Sequence, residues 1–281
     1  MDWVIKYSLA VGCLKNKFLI KFEFTLIMNL SYDILGAQVL ESQIQNTSLF
    51  YKSSKAQHTH TKRGGVPILF PQFASVGSYK KHGWVRDIEW LLLKDEKDKN
   101  SHLLTFSLKL DPTKNWPHRA KLLYKVRQLK NSLSLILKIE NTGSTSFSFT
   151  GGLHPYFYVP SLLKCNVQGL NSVSFTDKHK ATHSEGLLKF TASEFERLYH
   201  ENKPIKLIYD NVALELNQKG FDEWMIWNPG QTLAKSILDL PNNDWENFIC
   251  IEPVIASRPK LLEPGAIFDG TLNINLVINQ T

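Results

Sequence analysis

"SLSLILKIEN", residues 132–141, puts Leu133, Leu135, Leu137 and Ile139 on one side of an extended chain. Successive side chains of a strand point to opposite faces, so this period of two reads as a strand with one face in a core. The run stops at Asn141-Thr142-Gly143, residues that favour a turn. The pattern returns in "SHLLTFSLKL" (101–110), where Leu104, Phe106, Leu108 and Leu110 share a face, and again in "NVALELN" (211–217) and "TLNINLVIN" (271–279). Each run has about the length of an ordinary strand, and turn residues separate them. Helical spacing is scarce; "TASEFERLYHE" (191–201) is the best candidate for a single short helix. With no long linker, low-complexity tract or tandem repeat, the pattern predicts an all-β chain built as a large antiparallel β-sandwich. A sandwich of that size offers a broad concave sheet face on which a sugar-sized ligand can lie.

The 281 residues are 43% hydrophobic and 21% charged, which fits a globular chain with a sizeable core. The net charge of +7 is spread along the sequence, and no basic run interleaved with aromatics occurs, so nucleic-acid binding is not expected. Cys13, Cys165 and Cys250 lie far apart, without metal-ligand spacing, and read as reduced thiols of a cytoplasmic protein. "YSLAVGCL" (7–14) is far shorter than the roughly 20 residues of a membrane span, and no cleavage site follows it. "KFLIKFEFTLI" (17–27) alternates like a strand; alternatively Met28 is the true start. The division expected is an N-terminal extension over 1–27 and one sandwich domain over 28–281. A monomer acting on a small molecule, with no membrane or nucleic-acid partner, is the matching expectation.

Nucleotide-cradling glycine loops, His-Glu-x-x-His helices, paired CxxC motifs and Gly-x-Ser-x-Gly elbows are all missing from the sequence, so no cofactor and no metal are expected. What remains are histidines, a glutamate and arginines beside turn residues. "FTGGLHPYFYV" (149–159) sets His154 after two glycines and before a proline. Glycines admit close backbone approach by a ligand, although a histidine among aromatics is often only a satisfied core residue. "FICIEPVI" (248–255) puts Glu252 on an apolar strand, sharing a face with Phe248 and Cys250. Desolvation there raises a carboxyl towards the range of a general base; a structural pair with an arginine is the alternative. "RGGVPILFPQFASVGSYKKHGWVRDIEW" (63–90) carries Arg63, His82 and Arg86 among glycines and prolines. Guanidinium forks suit a phosphate, whereas the plainer reading pairs Arg86 with Asp87 or Glu89 at the surface. His82 is placed to hydrogen-bond a substrate hydroxyl.

These stretches together resemble the aldose 1-epimerase (mutarotase) superfamily, and within it the glucose-6-phosphate 1-epimerase branch. The segments that carry the likeness run in order: "LGAQVLES" (35–42), "KRGGVPILFPQFA" (62–74), "HGWVRDIEW" (82–90), "NWPHRAKLLYKV" (115–126), "LSLILKIENTGSTSFSFTGGLHPYFYV" (133–159), "VQGL" (167–170), "WMIWNPG" (224–230) and "FICIEP" (248–253). The resemblance implies a mutarotase-type supersandwich, a site on one concave face and no cofactor. It implies His154 as general acid, Glu252 as general base, and His82 as the residue that orients the sugar. Arg63 and Arg86 then hold the phosphate of a sugar phosphate. Where the family tends to carry an aspartate this sequence has Glu196, and the interval between Lys235 and the Cys-x-Glu strand is shortened.

Interconverting two anomers means removing the O1 proton while protonating the ring oxygen, rotating about C1–C2, and closing the ring again. A carboxylate and an imidazolium on opposite sides of the anomeric centre meet that need, with His154 starting protonated and Glu252 ionised. A mutarotase for free sugars and a catalytically silent carbohydrate-binding sandwich are the rivals. A glycosidase ranks below them, because it needs two carboxylates astride the bond and only Glu252 stands in a credible position.

Overall fold

The computed structural model describes residues 13–14, 17–18, 29–56, 61–177, 180–183 and 188–278. Apart from a short pairing of Cys13–Leu14 with Lys17–Phe18, the segments expected at 7–14 and 17–27 lie outside the described residues. The period-two runs are strands, and their alternation is the burial pattern. Leu133, Leu135, Leu137 and Ile139 are buried along Ser132–Asn141, as are Leu104, Phe106, Leu108 and Leu110 along Ser101–Leu110. Fully burying a leucine or isoleucine side chain contributes about 1.5–3 kcal/mol, so a run of four fixes both face and register.

Two eight-stranded antiparallel sheets result. One runs Asn166–Gln168, Ile205–Tyr209, Val212–Lys219, Ile267–Ile278, Ser132–Asn141, Ala120–Leu129, Ser101–Leu110, Leu91–Lys97. The other runs Lys180–His183, Ser174–Asp177, Phe195–Tyr199, Glu223–Asn228, Phe248–Leu262, Phe147–Leu153, Ile68–Leu69, with Tyr156–Tyr158 also paired to Phe248–Leu262. A single apolar cluster joins Leu135, Leu137 and Ile139 of the first sheet with Trp224, Ile249 and Ile251 of the second. The expected all-β sandwich is the observed architecture, with a small three-stranded sheet (Asn29–Asp33, Gln38–Ile44, Thr47–Ser48) beside it.

The helix expected at 191–201 is instead the strand Phe195–Tyr199, paired with Glu223–Asn228 on one side and Ser174–Asp177 on the other. Two open strand edges outweigh local helical preference there. The strand also gains a specific contact, since the Arg197 guanidinium lies 4.4 Å from the Phe175 ring centre and 4.7 Å from that of Phe195. One α-helix among the described residues is five residues long, Gly230–Ala234, and none is long and apolar enough to cross a membrane.

Between Phe147–Leu153 and Phe248–Leu262 the same sheet breaks register. Phe149 faces Lys260 but Gly151 faces Ile255, so the Phe248–Leu262 strand bulges over the intervening residues. Glu223, with no exposed surface, holds the bulge by accepting the N–H groups of Ala256 (3.0 Å) and Ser257 (2.7 Å) and the His200 ring at 2.8 Å. Those bonds keep a buried carboxylate ionised, below its usual range despite the burial that would raise it.

Candidate active site

Strand pairing collects the chemistry on one face of the second sheet. Glu252 lies opposite Met225, Cys250 opposite both Trp227 and Tyr156, and Trp227 opposite Glu196. Directly paired residues point the same way, so these side chains share a face while Ile249 and Ile251 enter the core. The face is the floor of a cavity of about 470 Å³, walled by the loop that carries Arg63 and by Lys81, His82 and Arg86. All five residues singled out in the sequence line it: Arg63, His82, Arg86, His154 and Glu252.

His154 leaves the Phe147–Leu153 strand with its N–H donating to the Pro67 carbonyl at 2.9 Å. Its ring stacks on Tyr156 at 4.7 Å and 5°. That stacking brings Nδ1 to 3.4 Å from the Glu252 Oε1, with the two side chains only 8% and 2% exposed. The two candidate groups therefore stand side by side, not on the opposite sides of a sugar expected from sequence. The chemistry allows it, since the two oxygens they must serve are bonded to one carbon. The glycines before His154 admit a close approach, as expected, but of neighbouring strands. A Cβ on Gly151 would sit 2.2 Å from the Leu69 carbonyl, and one on Gly152 2.3 Å from that of Pro253.

His82 has φ +66 and is followed by Gly83 at φ +71, a left-handed pair that turns the ring into the cavity. The Ala74 N–H donates to His82 Nδ1 at 3.2 Å, leaving Nε2 as the donor of a neutral ring. Burial, then Arg86, Lys81 and Arg63, depress the His82 pKa to about 3, so that ring is neutral at pH 7. Arg63 is held by Asp239, Nε to Oδ1 at 2.7 Å, and reaches the Tyr156 hydroxyl at 3.2 Å. Arg86 does not take the surface pairing with Asp87, whose carboxylate accepts from Lys80 at 2.6 Å. Arg86 donates to the Lys81 carbonyl at 3.2 Å, its buried Nε has no partner, and it forms no ion pair among the described residues.

Burial, reinforced by His82, Arg86, Arg63 and Lys81, holds the His154 imidazole well below its usual pKa. Burial, with Glu196 nearby, pushes the Glu252 carboxyl well above its own, against the pull of Lys81 and Arg86. In the ligand-free pocket burial thus disfavours the charged form of both groups, and so works against the ion pair expected from sequence. The reason is physical: each charge loses hydration on burial, and cations already line the pocket. The ion pair and the uncharged pair differ only in which group carries one proton; at 3.4 Å from Oε1, Nδ1 makes no hydrogen bond in the ligand-free pocket.

Residues 30–275 match the family model described as aldose 1-epimerase. The chain belongs to the aldose 1-epimerase family. A relative from Cenchrus ciliaris, provisionally named a glucose-6-phosphate 1-epimerase, is 29% identical over 87% of this chain and 80% of its own length. The crystal structure of a provisionally named mutarotase from Salmonella typhimurium superposes with a TM-score of 0.81 at 25% identity, covering 90% of this chain and 88% of that one. A galactose 1-epimerase from Lactobacillus acidophilus shares the fold, with a TM-score of 0.68 at 14% identity over 96% and 98% of the two chains. As a member of the aldose 1-epimerase family the protein is an isomerase of aldoses, and its fold is the galactose mutarotase-like sandwich.

Among the other residues that line this cavity, three stand out that were not singled out by sequence as site residues. Lys81 precedes His82 and lines the rim, but a lysine beside a lysine reads as solvated surface. Asp239 fixes Arg63 from a loop 176 residues away, a pairing with no local signal. Glu196 is a second carboxylate in the cavity, which sequence registered only as a departure from the family pattern.

Proposed function

We propose that the aldose is a hexose 6-phosphate, glucose 6-phosphate in the first instance, and that Glu252 and His154 carry the proton transfers. On this reading the Glu252 carboxylate takes the O1 proton while His154 gives a proton to the ring oxygen. The C1–O5 bond breaks, an open-chain aldehyde forms, and rotation about C1–C2 exposes the other carbonyl face. The same groups then act in reverse. Ring opening leaves Glu252 protonated and His154 neutral, the arrangement that burial favours in the empty pocket. The sugar-bound ion pair and the aldehyde-bound uncharged pair are thus linked without a proton from solvent. Each general-catalysis contribution is typically about 10²–10⁴-fold.

The observation that carries the phosphate assignment is Arg86, a cavity-lining guanidinium with a buried, unpartnered Nε. Lys81 stands at the same rim, while Arg63 is already committed to Asp239. A phosphate of charge about −1.5 to −2 would offset the cations that hold His154 neutral. The provisional name of the Cenchrus ciliaris relative points the same way. Anomerisation followed by polarimetry on glucose 6-phosphate and on glucose tests the assignment. Hydrogen bonds to charged groups contribute about 1.5–3 kcal/mol, so Arg86→Ala should raise KM for the phosphorylated sugar roughly ten- to hundred-fold. The rate on glucose should stay near that of wild type. Equal handling of both sugars by the wild type would instead favour a free-aldose mutarotase.

A further inference from the structure

Just beneath the cavity floor lies a third chemically able side chain that the proton transfers do not use. Cys250 is fully buried and unpaired, and its Sγ, a ring nitrogen of His154 and a carboxylate oxygen of Glu252 all lie within 4.8 Å of one another. The grouping has a cause in the fold. Cys250 and Glu252 are two apart on one strand face, and Tyr156, which stacks on His154, is paired to Cys250. A second observation is independent of the spacing: His154 Nδ1 and Glu252 Oε2 are buried without a hydrogen-bond partner. Native proteins rarely leave such atoms unpartnered, so these two await a ligand.

We propose that His154, Cys250 and Glu252 form a site for a thiophilic divalent cation, zinc above all, and that the bound cation shuts off the epimerase. Zinc accepts sulfur at about 2.3 Å, imidazole nitrogen at about 2.0–2.1 Å and carboxylate oxygen at about 2.0–2.2 Å. A tetrahedron with those bonds has edges of roughly 3.3–3.6 Å. The His154–Glu252 separation of 3.4 Å already matches one edge. Side-chain shifts of roughly 1 Å close the others, and a water from the cavity completes the fourth position. On binding, Zn–S and Zn–O bonds form as the thiol and carboxyl protons leave to the buffer. The two anions so formed, with Glu196 and Asp239 at the wall, oppose the charge of Arg63, Arg86 and Lys81. A thiolate ligand selects zinc or cobalt over magnesium. The cation occupies the atoms proposed to move protons, so it competes with the sugar; only this inhibition rests on the proposed roles, not the binding itself.

The test uses the full chain. Cobalt(II) titrated into the wild type should give one equivalent of a thiolate-to-cobalt charge-transfer band, absent in Cys250→Ala, with Cys250→Ser as the substitute should the alanine variant fail to fold. Magnesium should give nothing. In polarimetry on an aldose, zinc should inhibit the wild type reversibly with a chelator, and roughly tenfold or more zinc should be needed for Cys250→Ala. Zinc sensitivity is read for each protein relative to its own metal-free rate. A folded wild type without the band, or a band that survives the loss of Cys250, overturns the site. Equal zinc sensitivity of both proteins overturns the inhibition. The absorption readout decides even for a protein that turns over no aldose.

Discussion

His82 shows how strongly this pocket acts on a single side chain. Its pKa falls to about 3 from 6.5, first through burial and then through Arg86, Lys81 and Arg63. Between those values the unfolded chain binds a proton that the folded one refuses, so stability is full above about pH 6.5 and is lost as pH falls towards 3. The buried His154 acts in the same direction. In urea titrations at pH 6, 5 and 4, His82→Gln should lower the dependence of stability on pH by about 1.4 kcal/mol per pH unit. An unchanged slope would mean that the ring is protonated in the folded state. At this scale sequence went far, because histidines and arginines beside glycines and prolines are conspicuous. It did not reach protonation, which for His82 depends first on burial and then on how the fold gathers Arg86, Lys81 and Arg63 around the ring. Burial of Glu252 was expected from its strand neighbours; its 3.4 Å contact with His154 needed the sheet.

At the level of elements, the alternating runs were legible because their burial pattern is the pattern of the letters. The Phe195–Tyr199 strand was not, since nothing local announces the two strand edges that claim it. Gly151 and Gly152 were read as room for a ligand, and the room is taken by carbonyls of adjoining strands. Adding a methyl at Gly152 would force it to 2.3 Å from the Pro253 oxygen and 2.9 Å from the Val254 Cα. These are backbone atoms of the strand that carries Glu252, and they cannot swing aside. Gly152→Ala should therefore destabilise by about 1–3 kcal/mol and slow turnover by shifting the strand. Gly143→Ala, whose new carbon meets nothing nearer than 3.4 Å, should stay within about 0.5 kcal/mol of wild type. Chemical denaturation of the two variants checks the contrast, and equal losses would mean that the strands are not locked together at Gly152.

Across the whole molecule, the site draws on residues from Arg63 to Glu252, and no short stretch contains it. For the proposed chemistry the sandwich supplies one floor that holds His154 beside Glu252, and a cationic wall above it. Family and fold could be read from eight ordered segments because strand order and turn residues are written locally. The substrate proposed above rests on the balance of charges in the cavity, which has no local signal in the sequence. The central proposal is that His154 and Glu252 together interconvert the anomers of glucose 6-phosphate. Exchange NMR between the α and β anomeric protons measures this directly at equilibrium, without coupling enzymes. The wild type should bring exchange far above the buffer rate, and His154→Ala and Glu252→Gln should each lose about 10²–10⁴-fold of that enhancement. Wild-type exchange at the buffer rate, or full exchange in either folded variant, would contradict the account.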